Sequence, residues 1–363
     1  MINIKTILVL RRINRYILNF RYAFRPKKPL LVARLTLTYL KILFLKSAPL
    51  RYVDFAIDYG CNLKCEHCFA TALEKKERPF INPQEFGRVA QEAMDLGAVN
   101  FSFQGGEPTM FAKLYDYIKA CQPHKNLVSV TTNAVLIDEK MIHRLKKAGV
   151  DILTVSLDSG IPEEHDRFRG VVGSFDKTLN AIRLSLKMGL QVTIGATASH
   201  QNIRSEGFIR LLDLAHELGV IMFIALASPL GRWKDNQGVL LTTDDREYID
   251  DLLKRYPLLR TDFEANYINW GCGAVKEILY LTPYGDVLAC PFLHFSLGNI
   301  RKQSLKEIRD RALKYDFFKD YYKRCLAAED RDFILKMSEN NFYNPDGSPM
   351  KIEQIFDIKK KLN

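Results

Sequence analysis

The chain has 363 residues, 47% of them apolar, enough for one large core and a smaller unit, so no more than two domains are needed. Its seven cysteines, three of them packed into one short loop, suit a reducing, cytoplasmic compartment in which thiolates stay free to bind metal. The net charge of +11 is not spread along the chain: residues 1–50 carry 11 Lys and Arg and no Asp or Glu, and beyond them 42 basic residues face 42 acidic ones.

Within that basic segment Val9, Leu10, Ile13, Tyr16, Ile17 and Phe20 recur at helical spacing, with Lys5, Arg11, Arg12 and Arg15 on the other side. The pattern predicts a basic amphipathic helix. Arg25-Pro26-Lys27-Lys28-Pro29 breaks it, and Leu30–Leu45 follows as a second helix, apolar nearly all round except for Arg34, Thr38 and Lys41. Charges interrupt both before the ~18 apolar residues of a membrane span accumulate. Arginines running through the apolar stretch also argue against a signal peptide. Two readings stand for residues 1–50: a device lying on an anionic membrane surface, which makes the protein peripheral at the inner membrane face, or two helices packed on the body of the protein. Nucleic acid is a weaker third partner, because the basic residues alternate with aliphatics rather than forming a recognisable binding motif.

From Tyr52 onward strand-like and helix-like segments alternate, which predicts parallel strands covered by helices, with strands near 52–57, 99–103, 127–131, 151–157, 191–196 and 220–225. Asn82-Pro83-Gln84-Glu85 offers an N-cap, a proline at the first helical position and a carboxylate at the third, with Gly97 closing the turn. Ser174 opens another helix that ends near Gly189.

Just after the first strand lies Cys61-Asn62-Leu63-Lys64-Cys65-Glu66-His67-Cys68, a C-x3-C-x2-C run. Three thiolates this close can hold three irons of a cubane; a [4Fe–4S] cluster ligated only by cysteine uses four, so one iron is left for another ligand. Two cysteines at this spacing also fit zinc or a redox dithiol. Zinc, however, wants a fourth ligand in a closed site, and His67, inside the run, is poorly placed to reach an ion held by its neighbours. The run resembles the C-x3-C-x-φ-C signature of the radical S-adenosylmethionine (SAM) superfamily, with His67 at the aromatic position φ. The resemblance extends to Gln104-Gly105-Gly106-Glu107-Pro108 after the next strand, where that superfamily keeps a Gly-Gly-Glu-Pro stretch for the methionine end of SAM.

The resemblance implies a partial (β/α)6 barrel, an α/β fold, with a [4Fe–4S] cluster on Cys61, Cys65 and Cys68 and SAM bound beside it. An electron donor such as flavodoxin or ferredoxin would reduce the cluster, and SAM would be cleaved to a 5′-deoxyadenosyl radical. In such barrels chemistry collects at the C-terminal ends of the strands. Those ends are the cysteine loop, Gly105–Pro108, Thr131-Thr132-Asn133, Ser156-Leu157-Asp158, Gly195-Ala196-Thr197-Ala198 and Ala225-Leu226. Gly105 and Gly106 allow backbone to come close to a ligand. Asn133, Ser156 and Asp158 are short polar groups suited to a carboxylate or ribose hydroxyls, and each is equally suited to a turn or cap. With Glu107, Pro108, Ala196, Thr197, Leu226 and His67 they complete the expected cofactor-binding set. His165-Asp166-Arg167-Phe168-Arg169-Gly170 looks like a stretch recurrent among relatives of the same subgroup, with no role legible from sequence.

After Leu240 the character changes. A helix near 243–256 leads to Cys272, and the strand-like Ile278–Leu281 and Val287–Cys290 flank Pro283-Tyr284-Gly285-Asp286, a hairpin signal. Cys325 follows a helix at 304–314. This resembles the SPASM/twitch extension of radical SAM enzymes, which holds auxiliary iron–sulfur clusters. Cys272, Cys290 and Cys325 are the only cysteines left after Cys121, so they hold one cluster at most, with His294 or Asp330 as weak candidates for a fourth ligand; buried structural thiols are the plain alternative. Cys121 reads as a packed thiol. The expected organisation is a basic helical extension (1–50), the barrel (51–235), a small α+β auxiliary-cluster domain (236–335) and a polar tail (336–363).

The expected function is hydrogen abstraction from a substrate, with peptide or protein modification or oxidation first. Modification or adenosylation of a lipid-like, membrane-associated molecule is the alternative. A non-enzymatic iron–sulfur carrier is a contrasting class, and it has no use for the Gly105–Pro108 grip. No catalytic acid–base pair is assignable.

Overall fold

The computed structural model describes residue 14 and residues 16–45, 48–74, 77–266, 270–339, 344 and 348–356. All six predicted barrel strands are present: β1 Tyr52–Asp58, β2 Asn100–Gly105, β3 Leu127–Thr132, β4 Ile152–Ser156, β5 Gln191–Ala198 and β6 Ile221–Leu226. They pair side by side in chain order, every pair parallel. Parallel neighbours need a crossover, and helices α3 Pro83–Asp95, α4 Leu114–Ala120, α5 Glu139–Ala148, α6 Pro162–Arg169, α7 Ser174–Lys187 and α8 Glu206–Glu217 supply it. The start signal at Asn82 works as predicted: its side chain accepts from the Glu85 N–H, and Glu85 accepts from the Asn82 N–H in return. Between helices and sheet, Phe55 stacks on Phe86 at 4.4 Å and meets Tyr117 edge-on at 4.9 Å.

The sheet runs on past both ends of that barrel. After α9 Thr243–Arg255, strand β7 Leu259–Thr261 pairs with β6, and β8 Ile278–Leu281 lies parallel against β1. The predicted hairpin turns at Gly285 into β9 Asp286–Leu288, and the short β10 Gly298–Asn299 completes a ten-stranded sheet ordered β10-β9-β8-β1-β2-β3-β4-β5-β6-β7. The C-terminal hairpin thus forms no sheet of its own. All four residues of β8 are buried, and backbone groups without water need a ladder partner, which the open edge of β1 provides. Helices α10 Leu305–Ala312, α11 Asp316–Lys319, α12 Arg331–Glu339 and α13 Ile352–Ile355 follow.

The N-terminal segment packs under the barrel. Of its first predicted helix, Val9, Leu10 and Ile13 lie outside the described residues; residues 16–23 are helical (α1), and α2 spans Pro29–Leu45. Leu31, fully buried, meets Val99, Leu127 and Ile152 at the N-terminal ends of three strands. The basic residues here are hydrogen-bond donors to the protein itself. Lys28 Nζ lies 2.5 Å from Asp151 and donates to the Asn126 and Gly149 carbonyls; Arg34 donates to the Ala98 and Lys125 carbonyls, Arg25 to Gln191 and Arg21 to the Gly219 carbonyl. Several of these carbonyls end helices or precede strands, where they lack a partner of their own. The packed reading therefore holds for the inner face of the segment. Arg34 and Thr38, the polar breaks in α2, face the barrel together with Leu31 and Leu35, while Leu37, Leu40 and Phe44 face out.

Candidate active site

The cysteine loop, from the end of β1 to Phe69, is built by hydrogen bonds to segments far away in sequence. Its base is pinned by the glycine pair: the Gly106 N–H donates to the Asp58 carbonyl and the Glu107 N–H to the Gly60 carbonyl, both at 2.9 Å. A Cβ on Gly106 would lie 2.1 Å from the Gly60 carbonyl oxygen, and one on Gly105, at φ +132°, would lie 2.0 Å from that of Asp58. The glycines expected to admit a ligand thus serve first to let two backbone segments touch. Gly106→Ala is expected to cost about 3 kcal/mol through this overpacking and to lower the iron retained after anaerobic reconstitution; unfolding curves and iron analysis check it.

Glu107, wholly buried, has no oxygen to spare. It accepts from the Thr109 N–H and hydroxyl, the Thr132 hydroxyl and the Asn133 N–H at 2.5–3.0 Å. Burial raises its pKa, and these donors oppose the rise. Its geometry is that of a clamp between strand ends β2 and β3 rather than of a free ligand. Asn133, held by that clamp, turns its amide Nδ2 toward Asn62 Oδ1 (2.8 Å) and the Cys61 sulfur (3.9 Å).

Sequence reasoning left the His165–Gly170 stretch without a role, and the structure gives it one. Helix α6 folds back on the cysteine loop: the Lys64 N–H donates to the Arg169 carbonyl and the Glu66 N–H to the Phe168 carbonyl. Arg169, 7% exposed, forks onto Asp158 at 2.5 and 2.7 Å and points Nη1 at the Cys65 sulfur, 3.6 Å away. Burial opposes the Arg169 charge, yet Asp158 and Cys65 hold its pKa above the usual value. Burial likewise pushes Asp158 up, and the Arg169 guanidinium more than offsets it, leaving the carboxyl below its usual range. Asp158 also accepts from the Thr197 N–H (3.1 Å), and its own N–H donates to His165 Nδ1 (3.3 Å). Its oxygens are therefore engaged, and it positions Arg169 and the end of β5. Ser156 sits in register with Gly195, half-buried, and Ala196 is buried beside it.

His67 stacks on Phe168 at 4.6 Å, nearly parallel, with Trp233 at 5.7 Å. Burial and then the Arg169 charge depress its pKa to about 4, so the ring is neutral, and its buried Nδ1 has no hydrogen-bond partner. Arg232 closes the far side of the loop, donating Nη1 to the Cys65 carbonyl and its N–H to the Cys68 carbonyl, both at 3.1 Å. Neither Trp233 nor Arg232 carried a sequence signal, since both follow β6 and no pattern links them to the cysteines.

The second set of cysteines also converges. Cys272 pairs its N–H with the Tyr322 carbonyl at 2.7 Å, and burial and then mutual repulsion raise the Cys290 and Cys325 thiols well above their usual pKa. Asp262 and Glu329 act on the same group of thiols, and the Cys325 N–H donates to Glu329 at 2.7 Å. Of the two expected fourth ligands, Asp330 is occupied by the Tyr322 hydroxyl (2.7 Å) and the Phe333 N–H; His294, neutral with a pKa near 4 through burial, faces the Pro291 carbonyl. Among the described residues no three His, Cys, Asp or Glu side chains close in on one point as a single metal ion requires. The donor set, the cation beside Cys65 and the orphaned buried nitrogen of His67 all fit a cluster with an adenine-bearing ligand next to it.

A small, mostly apolar cleft beside the second set is lined by Leu226 at the end of β6, Thr261, Asp262, Phe263, Phe292 and Cys325.

Two family models match the chain: the radical SAM superfamily over residues 57–215 and an iron–sulfur cluster-binding (SPASM) domain over residues 272–328. The AdoMet-dependent heme synthase of Methanosarcina barkeri is 24% identical over 72% of this chain and 82% of its own length. The mycofactocin maturase MftC of Mycobacterium tuberculosis is 26% identical over 68% of this chain and 67% of its own. Among solved structures, Streptococcus suis SuiB bound to its precursor peptide SuiA aligns with a TM-score of 0.58 at 20% identity, over 76% of this chain and 68% of that one. The matched stretches contain the two sets of cysteines that the fold gathers, and the chain is a radical SAM enzyme with a SPASM-type C-terminal domain.

Proposed function

We propose that the enzyme binds SAM at a [4Fe–4S] cluster held by Cys61, Cys65 and Cys68, and oxidatively modifies a peptide side chain placed in the cleft beside a second cluster held by Cys272, Cys290 and Cys325. The cleft carries the reading, because it is lined both by Leu226 at the C-terminal end of β6, where barrel chemistry collects, and by Cys325 of the second set. When bound, the cluster and SAM supply a 5′-deoxyadenosyl radical that takes hydrogen from an unactivated carbon. The chain's own residues orient and shield: Arg169 offers a buried cation beside Cys65, suited to the carboxylate of an amino acid. His67, with Phe168 behind it, offers a flat face and an unpaired nitrogen to an adenine. Glu107 and Asp158 hold these groups in place, and the apolar wall of Phe263 and Phe292 excludes water and stray hydrogen donors.

The names of the maturase and of SuiB, whose structure holds a precursor peptide, support the peptide. An iron porphyrin is a second reading, favoured by the breadth of the match to the heme synthase. Anaerobic reactions with candidate peptides and with iron coproporphyrin, followed by mass spectrometry, test both. The expected result is 5′-deoxyadenosine matched in amount by a peptide that has lost hydrogen. A mass change in the porphyrin alone would replace the peptide, and SAM cleavage with neither product modified would end both substrate readings.

The second cluster has its own test. A Cys272→Ala/Cys290→Ala/Cys325→Ala variant is expected to lose about four irons per chain and to keep SAM cleavage. Unchanged iron content would make these three structural thiols.

A further inference from the structure

Helix α2 is apolar on its outer face as well as its inner one, which an ordinary surface helix is not. Its barrel face carries Leu31, Arg34, Leu35 and Thr38, whereas Ala33, Leu37, Leu40 and Phe44, spaced at i, i+4, i+7 and i+11, point away from the protein. Leu37 is 56% exposed and Phe44 78%; Ile17 and Phe20 of α1 are exposed to a similar degree. Side chains of this size, contiguous and at helical spacing, mark a surface made to be covered. Arg34 faces inward because the Ala98 and Lys125 carbonyls need a donor there, so the outward apolar stripe is not a by-product of filling the core.

The charge around the stripe says what covers it. In a barrel of parallel strands the helices run the other way, so their last turns gather at the end under which α2 packs. Those turns bring Lys119 of α4, Lys146 and Lys147 of α5, Lys187 of α7, and Lys254 and Arg255 of α9 to this end, all exposed. Lys27 and Lys41 flank the stripe itself, and the buried Asp151 is already paired with Lys28. Exposed acids at this end include Glu217 of α8 and Asp251, which pairs with Lys254. A second copy docking here would set one cationic ring against another, whereas anionic head groups around an apolar layer match both the stripe and the ring.

We propose that the outer face of α1 and α2, with the ring of lysines around it, docks on an anionic lipid bilayer and holds the enzyme with its active-site end directed away from the membrane. Among the described residues no helix is long and apolar enough to span, so the attachment is interfacial. The proposal is independent of the substrate reading, and it bears on it: the site opens at the end of the barrel remote from the bilayer, which suits a peptide arriving from water better than a lipid drawn from below.

The full chain should sediment with vesicles of phosphatidylglycerol and phosphatidylcholine in equal parts, less with phosphatidylcholine alone, and be released only in part by high salt. Leu37→Asp/Leu40→Asp/Phe44→Asp changes exposed positions only, so thermal unfolding should be retained while vesicle affinity falls at least about tenfold. Lys146→Glu/Lys147→Glu/Lys187→Glu should erase the preference for anionic over neutral vesicles. If the intact chain stays in the supernatant with both vesicle types, or if the aspartate variant turns a dimer into a monomer by light scattering without altering vesicle binding, the membrane reading is overturned.

Discussion

Replacing Cys61, Cys65 or Cys68 with alanine is expected to abolish 5′-deoxyadenosine formation and to remove about four irons per chain, leaving those of the auxiliary site in place. The reason lies in how few ligands the loop has. With three thiolates, one iron is already without a protein ligand, and losing another leaves a cluster that reductants and chelators can strip. Burial also pushes the Cys61 thiol up to about 11, so that thiol keeps its proton until iron displaces it. Cys121→Ala is the control. That thiol is fully buried, donates to the Ile118 carbonyl at 3.1 Å and lies in the helical layer, so its removal should leave iron and SAM cleavage intact. Anaerobic reconstitution with iron analysis and chromatography of the nucleoside products reads both. Full SAM cleavage by any of the three loop variants would sink the assignment.

What the sequence showed and what it hid differ in a physical way. The Asn82 capping box and the alternation of strands with helices are local, set by contacts within a few residues, and both appear in the fold as expected. The roles of Arg169 and Phe168 depend on α6 returning to a loop a hundred residues earlier, which no local pattern encodes. The partners of Glu107 and Asp158 were hidden for a related reason: the donors, Thr132 and Asn133 for one and Arg169 and Thr197 for the other, come from other strands and helices. The hairpin after Leu281 was legible, but its attachment to β1 was not, because strand partners are chosen by which edge is left open. For α2 the helix was legible but its packed face was not, because a helix apolar nearly all round marks no inner side until the Ala98 and Lys125 carbonyls are seen to take Arg34.

The Asp158–Arg169 pair should be the most sensitive point of the site outside the cysteines. Both groups are buried and bonded to each other at 2.5 and 2.7 Å, so Arg169→Met leaves an unpaired carboxylate in a dry place and should cost roughly 3–5 kcal/mol of stability. That loss alone would not say whether the arginine meets SAM. Asp158→Asn/Arg169→Met removes both charges together, and a neutral side chain of similar size at 158 can still accept from the Thr197 N–H, so most of the stability should return. If Arg169 has only a structural task, SAM affinity should return with it. If its cation faces the SAM carboxylate beside Cys65, the double variant should fold and carry iron yet bind SAM at least about tenfold more weakly, the scale expected for a lost charge-assisted contact. The change that SAM produces in the electron paramagnetic resonance signal of the reduced cluster reads binding apart from turnover. Wild-type SAM affinity in the double variant would return Arg169 to the role of a buried counter-ion for Asp158.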